Sequence, residues 1–480
     1  MVPHGNGRGR VGERGAADMA KWRRDAVVIG HQSTRVIHRD LRRDYPMLVR
    51  GEGVYLYDSD GNRYLDGSGG SAAVTSIGHG VAEVADAIAE QARTLAYAPT
   101  HAFTTEPIER CARIIVESFA PPGFGKVWFV SGGSEATENA VKMALQVQRD
   151  RGKGSKQIVV GRWQSFHGAT LASLGYGGNA GRRAPYGAAL PHAEHIVPCF
   201  PYRCRASSAC PACDLSCADQ LDYVIRQLGP ENVAAFIAEP VVGATLGAVA
   251  ATDGYFARIR EICDRHGVLL IADEVMTGFG RTGRNFGIDH WGVVPDLIAC
   301  AKGISGGYAP LGAVIAKPEL VEEVRTRRGS FVIGHTASGN PLACAAGAAV
   351  LTYIRDHRLV ENAAETGGYL LGRLRTMQDR HPMIGDVRGV GLLIGLELVR
   401  NRETKEPFPT EWRVARRIGR ATLERGLVSY PGSGTVDGMR GDHLLYAPPL
   451  SLSRDEADEL VEILDASLSA VADETGGLDG

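Results

Sequence analysis

The chain has 480 residues, 44% hydrophobic and 22% charged. This is ordinary globular usage, and it excludes a disordered chain, a collagen or a continuous coiled coil. Lys and Arg number 53 against 55 Asp and Glu, a formal charge of −2, so no global basic field exists to hold nucleic acid.

From the N-terminus, residues 1–25 are rich in Gly and Arg, lack hydrophobic periodicity and read as a flexible tail. They contain no apolar secretory segment, and nine cysteines, an odd number, fit a reducing, cytoplasmic compartment. Gly53–Asp66 alternates around Asp60-Gly61, a strong turn dipeptide, and predicts a hairpin. Short apolar runs then follow at Lys126–Val130, Gln157–Gly161, Val233–Ala238, Val268–Ala272, Leu297–Ala301 and Ala313–Ala316. Between several of them lie helical patterns, as at Ala140, Val141, Ala144, Leu145 and Gln148, so the middle of the chain predicts an α/β core around a parallel sheet. Leu342 to Ile354, the longest mostly apolar stretch, falls short of the roughly 20 residues that span a bilayer. Gly385–Val399 predicts strands, and Pro407–Gly426 and Ser453–Ala472 predict amphipathic helices. The expected organisation is a tail (1–25), an N-terminal segment of a small α+β domain (26–95), a large domain (96–345) and the rest of the small domain (346–480).

Three segments end in residues suited to chemistry. Ser131–Ala140 (SGGSEATENA) follows a strand and opens a helix, so its free backbone N–H groups suit either an anion or a plain strand-to-helix turn. Glu135 has to point away if a phosphate binds there. Neither G-x-x-x-x-G-K-[ST] nor a strand-linked G-x-G-x-x-G occurs. Gly267–Val275 ends in Asp273-Glu274, and ligands of such sheets bind at the carboxyl ends of strands. That pair suits a magnesium site, a carboxylate facing a protonated ring nitrogen, or a solvated acid. Leu297–Gly303 ends in Lys302, which in apolar surroundings becomes a neutral amine able to condense with an aldehyde, or else simply reaches to water.

Four segments together resemble class III aminotransferases: SGGSEATENAVKMA (131–144), SFHG (165–168), IAEPVVG (237–243) with IADEVMTGFGRTG (271–283), and AKGISGGYAPLGAV (301–314). The resemblance runs over about residues 45–470. It implies fold type I, with a mostly parallel seven-stranded sheet between helices and a smaller α+β domain, and a pyridoxal 5′-phosphate enzyme. It also implies a homodimer sharing its active sites, with small amine and keto substrates; the charge balance and the short apolar runs lead to no expected nucleic-acid or membrane partner. By position it makes Lys302 the Schiff-base lysine and proton shuttle, and Asp273 the partner of the ring nitrogen. Gly133 and Ser134 fall on the phosphate turn, Phe166 on one ring face with His167 after it, and Val275 on the other face. Glu239 falls near ring and substrate, and Thr336 on the residue that reaches the other subunit's phosphate.

Two departures bear on substrate and metal. Relatives that use 2-oxoglutarate carry a fixed arginine where Tyr446 stands, and the amine:pyruvate branch carries a mobile arginine where Gly438 stands. Arg440 is the nearest substitute, with a surface loop as its plainer reading, so the expected donor is a primary or ω-amine and the acceptor a keto acid or aldehyde. Phe103, Ser71 and Tyr308 are further pocket candidates, Phe103 for the partner's site. Cys199, Cys204, Cys210, Cys213 and Cys217 crowd residues 199–217; they have zinc-ligand chemistry, but buried thiols or a disulfide are the plainer reading and no metal is assigned. A decarboxylase, aminomutase or racemase begins from the same chemistry. A non-catalytic cofactor-binding protein is the alternative from another class.

Overall fold

The computed structural model describes residues 34–206 and 213–474. The expected tail at 1–25 and Cys210 lie outside the described residues. Seven strands form the central sheet: β1 (Lys126–Val130), β2 (Ile158–Arg162), β3 (Glu194–Ile196), β4 (Val233–Ala238), β5 (Leu269–Asp273), β6 (Leu297–Cys300) and β7 (Gly312–Ala316). Their spatial order is β1-β7-β6-β5-β4-β2-β3. All neighbours run parallel except β7, which is antiparallel to both β6 and β1.

The central strands read as uninterrupted apolar runs because both faces are covered. Every residue of β4, β5, β6 and β7 is buried. Helix α1 (Gly133–Asp150) lies on one face, burying Ala136, Ala140, Val141, Ala144 and Val147 at helical spacing against Val159, Ile237, Ile271 and Val314. Register fixes what meets at the carboxyl edge. Ala272 stands opposite Ala238, and Asp273 opposite Ala299, so residues 239 and 273 leave adjacent strands at one level, and Lys302 follows two residues after β6 ends at the same edge.

The predicted hairpin forms as Tyr55–Asp58 and Arg63–Leu65, with Leu48–Glu52 added as a third strand. Leu65 bridges Leu427, tying this hairpin to the C-terminal residues. A four-stranded antiparallel sheet there runs Ile384–Val390, Leu393–Leu398, Asp442–Tyr446, Tyr430–Ser433. The expected helix at 407–426 is regular only over Val414–Glu424, because Pro407 and Pro409 break its start and Arg413 is left-handed. Arg454–Glu474 is a helix opened by a capping box: Ser453 Oγ accepts from Glu456 N (3.3 Å) while Glu456 Oε2 accepts from Ser453 N (2.7 Å). Leu342 to Ile354 lies within the helix Pro341–Asp356, and among the described residues no helix is long and apolar enough to cross a membrane.

Candidate active site

The turn after β1 is built by close approach. A Cβ on Gly133 would lie 2.8 Å from Val275 Cγ1, so glycine lets the start of α1 press on the residue after β5. Gly168, at φ +145°, would put a Cβ 2.7 Å from Ser134 Oγ. Ser134 Oγ accepts from Ala169 N (3.0 Å), and Thr137 Oγ1 donates to His167 O (2.6 Å). Helix start and SFHG loop are thereby fixed to one another. Glu135 folds back onto the turn, its Oε2 accepting from Ser131 N (2.8 Å), so that N–H is engaged and an anion here is left the N–H groups that follow it.

Asp273 ends β5 and is buried, with Oδ2 2.6 Å from His167 Nδ1 and Oδ1 accepting from Val275 N (3.1 Å). His167 is buried too, and among the described residues its Nε2 has no hydrogen-bond partner. Glu239, just past β4, accepts from Phe166 N through Oε2 (3.2 Å), while its carbonyl accepts from the buried Arg162. Burial pushes Glu239 up to about 7, with His167 opposing and Asp273 adding to the rise. Lys302 follows β6 in a left-handed backbone (φ +49°), a conformation that costs a non-glycine residue energy. Burial draws its amine down to about 8, although Asp273 and Glu239 favour the charged form. Phe166 and Val275 remain partly exposed on the loops beside these groups.

This donor set fits pyridoxal phosphate. A glycine turn at a helix start suits its phosphate. The His167-held carboxylate suits a ring N–H, and a partly neutral amine suits an aldehyde. The unpartnered His167 Nε2 is a buried polar atom of the kind a neighbouring bound group satisfies.

Glu274 belongs elsewhere: buried, it accepts from Gly287 N and Ile288 N (2.8 Å each) and from Thr277 Oγ1. That role is structural, and it turns Glu274 away from Asp273 toward the loop 277–288. Arg440 is exposed, with Nε bound to Asp437 Oδ2 (2.6 Å). Tyr446 is fully buried with its hydroxyl 3.1 Å from Ser429 Oγ. Tyr308 donates to Gly78 O (3.3 Å) and accepts from Val81 N (2.9 Å). Thr336, Phe103 and Ser71 are exposed, and Tyr97 Oη donates to Thr336 O (3.0 Å). Cys199 and Cys213 both lie against Thr252 Oγ1, at 3.5 and 3.4 Å, and Cys217 is buried. Among the described residues no group of three or more His, Cys, Asp and Glu is arranged to hold a metal ion.

Sequence reasoning missed Arg162 and Arg182. Arg162 closes β2 with its guanidinium buried among Glu239 O and Tyr255. The guanidinium of Arg182 lies 4.3 Å from the centroid of the Phe166 ring. Nothing in the tripeptide Gly181-Arg182-Arg183 separates the two arginines before folding.

Comparison with known proteins bears on the whole chain. The family model "Aminotransferase class-III" matches residues 39–468. An uncharacterized aminotransferase of Schizosaccharomyces pombe is 39% identical over 427 residues, covering 88% of this chain and 93% of the relative. A putrescine–pyruvate aminotransferase of Pseudomonas aeruginosa is 36% identical over 433 residues, covering 88% and 91%. An amine transaminase of an uncultivated Pseudomonas species, solved in its PLP-bound form, superposes with a TM-score of 0.85 at 35% identity, covering 91% and 99%. With that sheet, that carboxyl edge and those relatives, the chain belongs to the class III aminotransferases, pyridoxal-phosphate-dependent transaminases of fold type I.

Proposed function

We propose that the enzyme transfers an amino group from a primary or ω-amine to a keto acid or aldehyde, in two half-reactions at one site. The observation that carries this reading is that Lys302, Asp273 and the turn 131–134 meet at one carboxyl edge. Bound there, pyridoxal phosphate supplies an electrophilic aldehyde and a ring that takes up the electron pair left when an α-C–H bond breaks. The turn's remaining backbone N–H groups and Ser134 would hold the phosphate. Phe166 and Val275 would flank the ring. Asp273, oriented by His167 at 2.6 Å, would hold the ring N–H proton in place. Lys302, partly neutral near pH 7, takes the proton from the substrate α-carbon and returns it on the far side of the transfer. Glu239, pinned by Phe166 N, borders the pocket beside β4.

The amine donor class is supported by the names of relatives, a putrescine–pyruvate enzyme and an amine transaminase. It is also supported by the engagement of Arg440 with Asp437 and of Tyr446 with Ser429, which leaves neither as a glutamate-carboxylate anchor. The enzyme acts as a homodimer, for which the exposed Leu95, Tyr97, Phe103 and Val332 near Thr336 supply an apolar face. Its free thiols at Cys111, Cys199, Cys263, Cys300 and Cys344 suit the reducing cytoplasm. The test is a donor panel (putrescine, 1-phenylethylamine, glutamate) with pyruvate, reading alanine formed. Alanine from the amines is expected; glutamate outrunning every amine overturns the donor class, and carbon dioxide or an isomer without alanine overturns transamination.

A further inference from the structure

Arg182 is a cation with nothing assigned to neutralise it. It sits in the short helical turn Ala180–Arg183, whose start is closed by Asn179 Oδ1 accepting from Arg182 N (3.0 Å). Its guanidinium stacks on Phe166, and its charge reaches Lys302, where it opposes protonation of the amine. Among the described residues no carboxylate lies within salt-bridge distance of it, and its side chain makes no hydrogen bond. Its neighbours differ. Arg183 gives Nη1 to the carbonyls of Gly175 (2.6 Å) and Gly177 (2.5 Å). Arg281 is buried on the carbonyls of Leu392 and Pro448, and Arg440 is held by Asp437. Arg182 therefore keeps its planar donor fork free while its guanidinium rests over the Phe166 ring, and a free fork is what receives a carboxylate through two parallel hydrogen bonds. The wall facing this turn carries no side chain at Gly438, where a Cβ would come within 3.1 Å of Ala180 Cβ.

We propose that Arg182 is a specificity-determining residue that holds the carboxylate of the keto-acid acceptor, so that the acceptor's carbonyl would face the amino group received from the donor, with Lys302 beside it to move the proton; this rests on the aminotransferase reading above. A partly buried, unpaired guanidinium gains most from an anion at such a place, because little water competes for it. An aldehyde acceptor has no group to offer it. The two acceptor classes are thus separated by one residue.

The test uses the cofactor-loaded enzyme with one amine donor and two acceptors of similar size, pyruvate and propanal. In Arg182→Leu the ratio of kcat/KM for pyruvate to that for propanal falls by about 10- to 100-fold, chiefly through KM for pyruvate, and Arg182→Lys recovers part of it. Arg182→Gln repeats the comparison if the leucine variant loses its fold. Acetate binding, read by calorimetry, weakens at least about tenfold in the same variants. A ratio within twofold of wild type, or acetate binding unchanged, overturns the proposal. A wild-type enzyme that aminates neither acceptor overturns the transaminase reading instead, and the acetate titration still decides Arg182.

Discussion

Burial at a strand end changes what an ordinary lysine is able to do. With its amine drawn down to about 8 from an ordinary 10.5, Lys302 is neutral in about one molecule in ten at pH 7, against about one in three thousand in water. Because the neutral form is the nucleophile, uptake of pyridoxal phosphate by the apoprotein is predicted to speed up about tenfold per pH unit below pH 8 and then level off. Stopped-flow absorbance checks this; a rate still climbing toward pH 10 contradicts it. Asp273→Asn removes the fixed charge beside the ring nitrogen and is predicted to lower turnover by about a hundredfold or more, with the fold intact by circular dichroism. That Asp273 ends one strand and Lys302 follows another was legible because each closes an apolar run. His167 was placed by resemblance, but its contact with Asp273 was not legible, since 106 positions separate them. Arg182 does not stand out in the sequence, and Arg440 is the exposed loop residue of its plainer reading, since which guanidinium is already engaged is decided by tertiary contacts alone.

At the scale of elements, the site depends on how closely α1 approaches the loop after β5. Gly133→Ala places a methyl 2.8 Å from Val275 Cγ1 and is predicted to cost about 1–3 kcal/mol in urea unfolding and to loosen cofactor retention. Val275→Ala in the same chain restores much of that stability, and additive losses in the double variant would refute the contact. Glu274→Gln turns a donor toward backbone N–H groups that the carboxylate accepts from, with a predicted loss of about 1–3 kcal/mol. The central strands were legible as apolar runs, but apolar runs carry no direction, so the antiparallel course of β7 was not. The edge strand β3 is three residues long and contains Glu194 and His195, too short and too polar to stand out. Asp442–Tyr446 escaped because its start is polar and its neighbour Tyr430–Ser433 reads as a turn.

For the molecule as a whole, the exposed face bearing Tyr97 (48% exposed) and Phe103 (66%) lies outside any core of the single chain. Tyr97→Asp with Phe103→Asp is predicted to shift sedimentation toward the monomer and to lower cofactor retention with it, because Thr336 sits against Tyr97. A double variant that stays dimeric and fully loaded would remove this face from the interface. No apolar period announces such a surface in the sequence: the segment of Tyr97 meets that of Thr336 only in the fold.

Borohydride reduction of the loaded protein followed by peptide mass mapping reads whether Lys302 is the residue to which pyridoxal phosphate attaches. The expected result is a single phosphopyridoxyl group on the peptide containing Lys302, with the yellow absorbance lost on reduction and absent in Lys302→Ala. A label on any other lysine, or a colourless protein that takes up no cofactor, would contradict it.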